Sequence, residues 1–253
     1  MVPKLEDLLD EDWQVGEGLG PELSYAKMII NPDDQSALEL ALRLREARSP
    51  EETYLAALSL GHSDQARRVA QSLLALGFNQ VGLISRDGQE PFAPDVAALR
   101  LWPWAQRDFQ LILTGARSAD GQNGLTAMYL AELLAYRLIT EVIELRAGAG
   151  GKIEVESLSD EGLVSQNLLG PSVLSVGNAP SAFLRVPSLK DRLKSAPLAP
   201  EILAGPQLAG DSFAELVGLE RPDRRRQTRL VSEGGAEEKA ALILKALNDW
   251  GLR

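Results

Sequence analysis

The chain has 253 residues, of which 45% are hydrophobic and 25% are charged, so its composition is typical of a globular protein and excludes a disordered or fibrous one. Its net charge of −10 disfavours broad affinity for nucleic acids or anionic lipids, because those partners attract positive charge. The absence of cysteine excludes disulfides, thiolate nucleophiles and cysteine-held metals. The single histidine, His62, gives little basis for a metal site or a Ser-His-Asp triad.

Targeting and membrane signals are not found in this sequence. No segment approaches the roughly 20 apolar residues of a membrane span. The start is acidic and lacks the basic region of a signal peptide. We therefore expect a cytoplasmic protein.

Helices and strands are predicted to alternate through the first half of the chain. An apolar stripe predicts a helix over 32–48, with Asp33 or Asp34 as its cap. Gly61 and Gly77 separate the next elements. These elements are a strand over 54–60, a helix over 63–76, a strand over 80–85, a helix over 94–106 and a strand over 111–114. Such alternation predicts a parallel sheet with helices on both faces.

The second half of the chain is predicted to differ. An apolar helix over 125–136 and a strand over 139–145 complete the alternation. Three short strands without helices between them then predict an antiparallel addition to the sheet edge; they cover 152–157, 164–169 and 172–176. Beyond Gly177 the chain is rich in proline and has a short helix over 188–195, an arginine cluster over 221–229 and an amphipathic helix over 236–250. We therefore divide the chain into an α/β core over 1–176 and an arm over 177–253 that docks either on a partner or back on its own core.

The loop GARSADGQNGLT, residues 115–126, is the strongest candidate for a binding site. It lies between a buried strand and a helix N-terminus, where an open α/β sheet binds ligands and where free N–H groups attract anions. Its small and polar residues suit phosphate or ribose; they are Ser118, Asp120, Gly121, Asn123 and Gly124. A capped loop without a ligand is the alternative interpretation.

The glycines over 148–151 lack phosphate-loop spacing and predict a hairpin turn.

Catalytic machinery is not predicted. No nucleophile is placed beside a base, and no two carboxylates have a defined task, so a hydrolase or transferase is unsupported.

Several segments, taken in order, resemble the beta subunit of electron transfer flavoprotein. They are INPDD followed by ALELALRLRE, then SLGHSDQARRVAQSLLALG, LILTGARSADGQNG leading into MYLAELL, VESLSDEGLVSQNLLGPSVLSV and RVPSLKDRLKS. Their order and spacing match over most of the chain. The resemblance implies an α/β fold with a doubly wound, mainly parallel sheet, Rossmann-like and of the adenine nucleotide alpha hydrolase type, with antiparallel edge strands and a C-terminal arm.

The resemblance also implies an electron carrier subunit without catalytic residues or metal of its own. Such a subunit pairs with an alpha subunit that carries FAD, moves electrons from dehydrogenases to an acceptor, and holds AMP or, in electron-bifurcating members, a second FAD. The alternative is a non-redox adenine-nucleotide-binding module or scaffold of the same superfamily. The family has a leucine that docks on a flavin dehydrogenase, and the corresponding residue of this chain is Leu189. Carried over by position, the nucleotide contacts are Asn31, Gly61, Ser118, Asp120, Gly121, Asn123, Gly124 and Thr126.

The chain departs from the family pattern at several positions. Val164 replaces a glutamate that faces the flavin domain, and Leu125 replaces a glutamine of the nucleotide loop. Lys190 and Asp191 replace the usual Pro-Asn of the docking loop, which implies an unusual partner dehydrogenase. Family members begin with an apolar strand before a Val-Pro motif, whereas this sequence begins at that motif. We expect either a natural start further upstream or another segment in the place of that strand.

Overall fold

The computed structural model describes residues 2–3, 26–48, 53–61, 63–85, 93–107, 109–119, 121–177, 179, 182–206 and 230–249. The chain divides into two compact units, residues 1–219 and 220–253. The described residues do not include His62, the predicted contact Asp120 or the arginine cluster predicted over 221–229.

Helices and strands alternate along most of the described chain. The α-helices are α1 (Pro32–Ala47), α2 (Asp64–Ala75), α3 (Pro94–Ala105), α4 (Thr126–Leu134), α5 (Leu189–Ser195) and α6 (Ala236–Asp249). The strands are β1 (Val2–Pro3), β2 (Met28–Ile29), β3 (Ala56–Leu60), β4 (Gln80–Ile84), β5 (Leu111–Gly115), β6 (Arg137–Ala147), β7 (Ile153–Ser159), β8 (Gly162–Asn167), β9 (Ser172–Val176) and β10 (Glu201–Leu203). The mainly parallel α/β architecture predicted from the sequence is confirmed.

Local signals explain where the first helices begin and end. Pro32 occupies the first turn of α1, where its missing N–H costs nothing, and Asn31 is the N-cap. Asp33 and Asp34 lie inside the first turn, where their charge suits the helix dipole, so the prediction that either caps the helix is wrong. Ser63 caps α2 by accepting a hydrogen bond of 3.2 Å from the N–H of Ala66.

The larger sheet has five strands in the order β5-β9-β6-β7-β8. Strands β5, β9 and β6 are parallel, whereas β7 and β8 add antiparallel neighbours at one edge. The strand over 172–176 was predicted in that antiparallel addition, and this is wrong. Every residue of β9 is buried between two parallel strands, because a strand covered by helices on both faces is apolar without alternation.

The smaller sheet has three parallel strands in the order β10-β4-β3. Strand β10 comes from the predicted arm, so this part of the arm returns to the sheet. Among the described residues β3 and β5 each pair with a strand on one side, so both are edge strands. The expectation that the family's N-terminal apolar strand, or another segment in its place, belongs to the sheet stays a prediction.

Helix α1 contributes to the cores of both sheets. Leu40 and Leu44 pack with the buried faces of β6 and β9, whereas Leu42 packs with α2 and β4. On the opposite face of β9, Val173 packs against α4. Helices therefore cover both faces of the larger sheet, as in a doubly wound fold.

The glycines over 148–151 form a turn between antiparallel strands. Gly150 and Gly151 have φ of +67° and +78°, and the N–H of Gly148 donates to the carbonyl of Lys152 at 2.9 Å. The predicted hairpin turn is confirmed, since β6 and β7 pair on either side of it.

The second unit contains α6, which forms where the amphipathic pattern predicted it. Its predicted docking and the boundary between core and arm at residue 176 stay predictions. Within the described part of the chain, no helix is long and apolar enough to cross a membrane.

Candidate functional site

A cavity of about 320 Å³ lies at the carboxyl ends of β5 and β9, beside the first turn of α1. Parallel α/β sheets bind ligands at this end of their strands. The cavity is lined by Asn31, Pro32, Asp33, Ala116, Arg117, Ser118, Ala119, Gln122, Glu141 and Gly177. We call it the site cavity, and we call residues 115–126 the site loop.

Asn31 fixes the position of the site loop. Its buried side chain donates from Nδ2 to the carbonyl of Arg117 at 2.7 Å and accepts at Oδ1 from the N–H of Ala119 at 2.9 Å. One amide therefore satisfies a donor and an acceptor of the loop backbone two residues apart. Asparagine is suited to this role because its side chain carries both kinds of group.

Two aspartates of α1 hold the beginning of the loop. Asp34 Oδ1 accepts from the N–H of Gly115 at 2.8 Å, and Asp33 Oδ2 accepts from the N–H of Arg117 at 3.1 Å. A Cβ at Gly115 would lie 2.6 Å from Asp34 Oδ1, so glycine permits this close approach. Burial raises the pKa of both carboxyl groups, although the backbone hydrogen bonds oppose that rise.

An ion pair forms another wall of the cavity. Arg117 Nη2 donates to Glu141 Oε1 at 2.8 Å. Glu141 has a φ of +50° and lies at an irregularity of register in β6 between Ile139 and Val142. A Cβ at Gly177 would lie 2.8 Å from Glu141 Oε2, so glycine leaves room for the carboxylate. The bulge and the glycine together place a charged pair at the end of the sheet.

The lining offers groups that suit a polar ligand with hydroxyl groups and one anionic group. The backbone of the site loop and the side chains of Ser118 and Gln122 offer donors and acceptors, and Arg117 offers a positive charge. Among the described residues, no group of three or more histidine, aspartate or glutamate side chains is arranged to hold a metal ion.

The structure brings some of the predicted contacts together. Asn31 and Ser118 line the cavity, and Ser118 Oγ accepts from the N–H of Gly121 at 3.3 Å. The loop then continues away from the lining: Asn123 Oδ1 accepts from the N–H of Leu125 at 3.2 Å, Gly124 has a φ of +66°, and Thr126 begins α4. Gly61 follows β3 in the smaller sheet and is not part of the lining.

Eight of the ten residues that line the cavity were not among the predicted nucleotide contacts, and five of these bring a polar side chain or a glycine: Asp33, Arg117, Gln122, Glu141 and Gly177. Arg117 lies inside the predicted loop, and its charge was a usable signal for an anion contact. Glu141 lies within a strand pattern that gives no sign of a bulge. Gly177 directly follows a buried strand, which is a signal for close approach to another group.

The arm segment over 182–206 is attached to α1 by charged groups. Arg185 Nη2 donates to Glu39 Oε1 at 2.7 Å, and its other terminal nitrogen bonds Glu46. Burial raises the pKa of Glu39, but hydrogen bonds from Arg185 and Arg43 outweigh this effect and hold it below its ordinary value. Gln71 of α2 adds a hydrogen bond of 2.9 Å to the carbonyl of Ser195.

The attached segment presents Leu189 to solvent, with 74% of its surface exposed. Leu189 begins α5, whose N-cap is Ser188 in a reciprocal pair of hydrogen bonds with Asp191. The helix predicted over 188–195 is therefore confirmed, with its first leucine on the surface.

Comparison with known families gives a match over residues 23–191 to the electron transfer flavoprotein domain. This range covers both α1 and the site loop. The chain belongs to the electron transfer flavoprotein family. The resemblance seen in the sequence is thereby confirmed.

Curated relatives in the electron transfer flavoprotein family are similar to this chain over most of its length. YgcR of Escherichia coli (strain K12), provisionally named an electron transfer flavoprotein subunit, is 30% identical over 92% of this chain and 89% of its own length. The electron transfer flavoprotein subunit beta of Bradyrhizobium diazoefficiens is 28% identical over 94% of this chain and 92% of its own. The corresponding subunit of Megasphaera elsdenii is 27% identical over 87% and 81%. The relatives named by subunit are thus beta subunits.

Two departures from the electron transfer flavoprotein pattern lie at exposed positions. Val164 lies in the outer strand β8, and Leu125 precedes α4. Neither lines the site cavity.

Proposed function

We propose that this chain is a beta-type electron transfer flavoprotein subunit that binds an adenine nucleotide, AMP or a second FAD, in the site cavity. It pairs with an alpha-type subunit that carries FAD and passes electrons from a flavin dehydrogenase to an acceptor. Family membership and the position of the cavity support this proposal. The observation that carries it is the loop held by Asn31 at the carboxyl end of a parallel sheet.

The residues around the cavity match the parts of an adenine nucleotide. Ser118 and Gln122 can exchange hydrogen bonds with ribose hydroxyls, and Arg117 can bind a phosphate oxygen. Backbone groups of the loop can meet the base at close range. AMP and FAD share this adenosine and phosphate, so both ligands fit the same set of groups.

The chain's own groups bind and orient, while electron transfer belongs to the flavin. A bound flavin supplies the redox chemistry, and protein groups supply position and electrostatics. We therefore propose a carrier subunit without catalytic residues of its own, located in the cytoplasm.

Leu189 is proposed as the contact with a dehydrogenase. The segment around it is fixed at Arg185 and at α5, yet its apolar side chains project to solvent: Phe183, Val186, Leu189 and Leu193 are all exposed. An apolar group on a fixed support is the usual form of a binding anchor. Lys190, Arg192 and Lys194 surround the leucine with positive charge.

Co-purification with the product of the neighbouring gene tests the proposed function. We expect a heterodimer with flavin absorption bands. Its extract should contain either about one flavin per heterodimer together with AMP, or about two flavins per heterodimer without AMP. A colourless chain that binds only AMP and no partner would favour the non-redox module instead. A chain that retains no nucleotide would contradict both.

A leucine substitution tests the docking contact. Leu189→Ala is expected to slow reduction of the heterodimer by a flavin dehydrogenase about tenfold, because central apolar anchors contribute most to an interface. Leu169→Ala, at an equally exposed leucine of the larger sheet's loops, is the matched control. Equal rates for wild type and Leu189→Ala would exclude Leu189 as an anchor.

A further inference from the structure

We propose that Arg117 and Glu141 set the preference of the site cavity for ligands that carry a phosphate group. Arg117 binds the phosphate, and Glu141 competes with the phosphate for the guanidinium group. This inference rests on the proposed binding of an adenine nucleotide in the cavity. It adds a specificity-determining pair that the predicted set of contact residues does not contain.

The charges of the cavity lining identify Arg117 as the phosphate contact. Of the described residues that line the cavity, Arg117 alone is positively charged, whereas Asp33 and Glu141 are negatively charged. The phosphate is the only anionic part of AMP, and Arg117 is the one cationic side chain of the described lining that can attract it, with Asp33 and Glu141 both in contact with that arginine. Guanidinium groups bind phosphate by paired, charge-assisted hydrogen bonds, so the phosphate is most stable beside Arg117.

The ion pair leaves Arg117 available to a ligand. The side chains of Arg117 and Glu141 are 58% and 40% exposed, and exposed pairs contribute little to folding stability. A guanidinium group has five N–H donors, of which the pair uses one at 2.8 Å. The group can therefore turn toward a phosphate, or hold both anions, at small cost.

The position of Glu141 is specified by the backbone. A left-handed φ of +50° is uncommon for a residue with a side chain, and within a strand it marks a bulge. Gly177, at the end of β9, provides the space that the Glu141 carboxylate occupies. Two neighbouring strands thus cooperate to direct one carboxylate toward Arg117, and such strained positions are concentrated at functional sites.

Adenosine and AMP differ only in the phosphate, so their affinity ratio isolates this contact. For the purified full chain, we expect Arg117→Gln to lower AMP affinity about tenfold and to leave adenosine affinity nearly unchanged. Glu141→Gln removes the competing charge, and we expect it to raise the AMP-to-adenosine affinity ratio about threefold or more. Both affinities are measured by calorimetric titration.

Two further variants distinguish this role from a structural one. Gly177→Ala places a methyl group against the Glu141 carboxylate and is expected to raise the ratio in the same direction as Glu141→Gln. Arg146→Gln breaks a comparable ion pair with Glu156, outside the cavity lining, and is expected to leave the ratio unchanged. Circular dichroism confirms that each variant is folded.

The outcomes separate this inference from the proposed function. If Arg117→Gln changes both affinities by the same factor, or Glu141→Gln leaves the ratio unchanged, the phosphate role of the pair is wrong while nucleotide binding stands. If the wild-type chain binds neither ligand, the proposed function fails, and the inference fails with it.

Discussion

Helix α1 holds two different segments of the chain, and it does so by different chemistry. Its first turn holds the site loop, where Asn31, Asp33 and Asp34 bond to backbone groups. Further along the same helix, Glu39 and Glu46 hold Arg185 of the arm segment. The first attachment joins side chains to peptide groups, whereas the second rests mainly on opposite charges, with one further hydrogen bond of 3.2 Å from the backbone N–H of Arg185 to Glu39 Oε2.

This difference shows what each attachment can control. Bonds to backbone N–H and C=O groups do not depend on the loop's own side chains, so the site loop can keep its shape when its sequence varies at positions other than Gly115, which must stay small beside Asp34. An ion pair depends on two side chains and on their charge. The arm segment is therefore the part of this fold that a substitution or a change of pH should loosen more readily.

Removing Arg185 should give the largest effect on stability. Arg185→Ala leaves the Glu39 side chain, which is 4% exposed, with Arg43 as its other ion-pair partner. We expect a loss of about 3 kcal/mol in the free energy of unfolding, because the buried Glu39 carboxylate keeps Arg43 but loses all of its hydrogen bonds to the Arg185 guanidinium group. Urea denaturation measures this loss.

A matched ion pair serves as the control for that substitution. Arg146→Ala breaks the ion pair with Glu156. Because Arg146 is more exposed than Arg185, this substitution should cost less than about 1 kcal/mol of the free energy of unfolding. Equal losses in the two variants would show that the Arg185 attachment is an ordinary surface pair.

Removing the amide of Asn31 should have the next largest effect. Asn31→Ala leaves the N–H of Ala119 and the carbonyl of Arg117 without their partner, at a cost of about 2 kcal/mol. It should also weaken AMP binding, because the loop loses its fixed position. Calorimetric titration and denaturation measure the two effects, with the exposed Asn79→Ala as the control. Unchanged binding would mean that the loop does not need this attachment.

Lowering the pH should produce a smaller effect that separates the two attachments. The pKa of Glu39 lies below its ordinary value of 4.5, so its contribution is present above that value and is lost as the pH falls through the lowered pKa. The pKa of Asp34 lies above its ordinary value of 3.8, so protonation at falling pH favours the folded state.

Hydrogen exchange can measure this contrast. Between about pH 5 and pH 3, amides over 185–195 should lose protection before the amides of Gly115 and Arg117 do. Simultaneous loss in both regions would show that the two attachments are not independent.

The sequence predicted most elements to within a few residues where local signals mark their ends. Ser63 and Gly77 bound α2, and Pro94 begins α3, because caps, glycines and prolines act on their own neighbours. The place of β9 was predicted wrongly. An apolar run shows that a strand is buried, but it does not show which strands lie on either side.

The candidate site was predicted in part for a related reason. The site loop was found because it follows a strand and precedes a helix. The Glu141 contact depends on a bulge inside β6, and the Glu39 contact with Arg185 joins residues 146 positions apart. Neither leaves a periodic signal in the sequence.

Photoaffinity labelling of the full chain with 8-azido-AMP tests most directly whether the site cavity binds an adenine nucleotide. We expect label to be recovered in peptides that cover the site loop or Gly177, and we expect excess AMP to prevent this labelling. Label confined to other peptides, or label that excess AMP does not reduce, would show that the site cavity does not bind an adenine nucleotide.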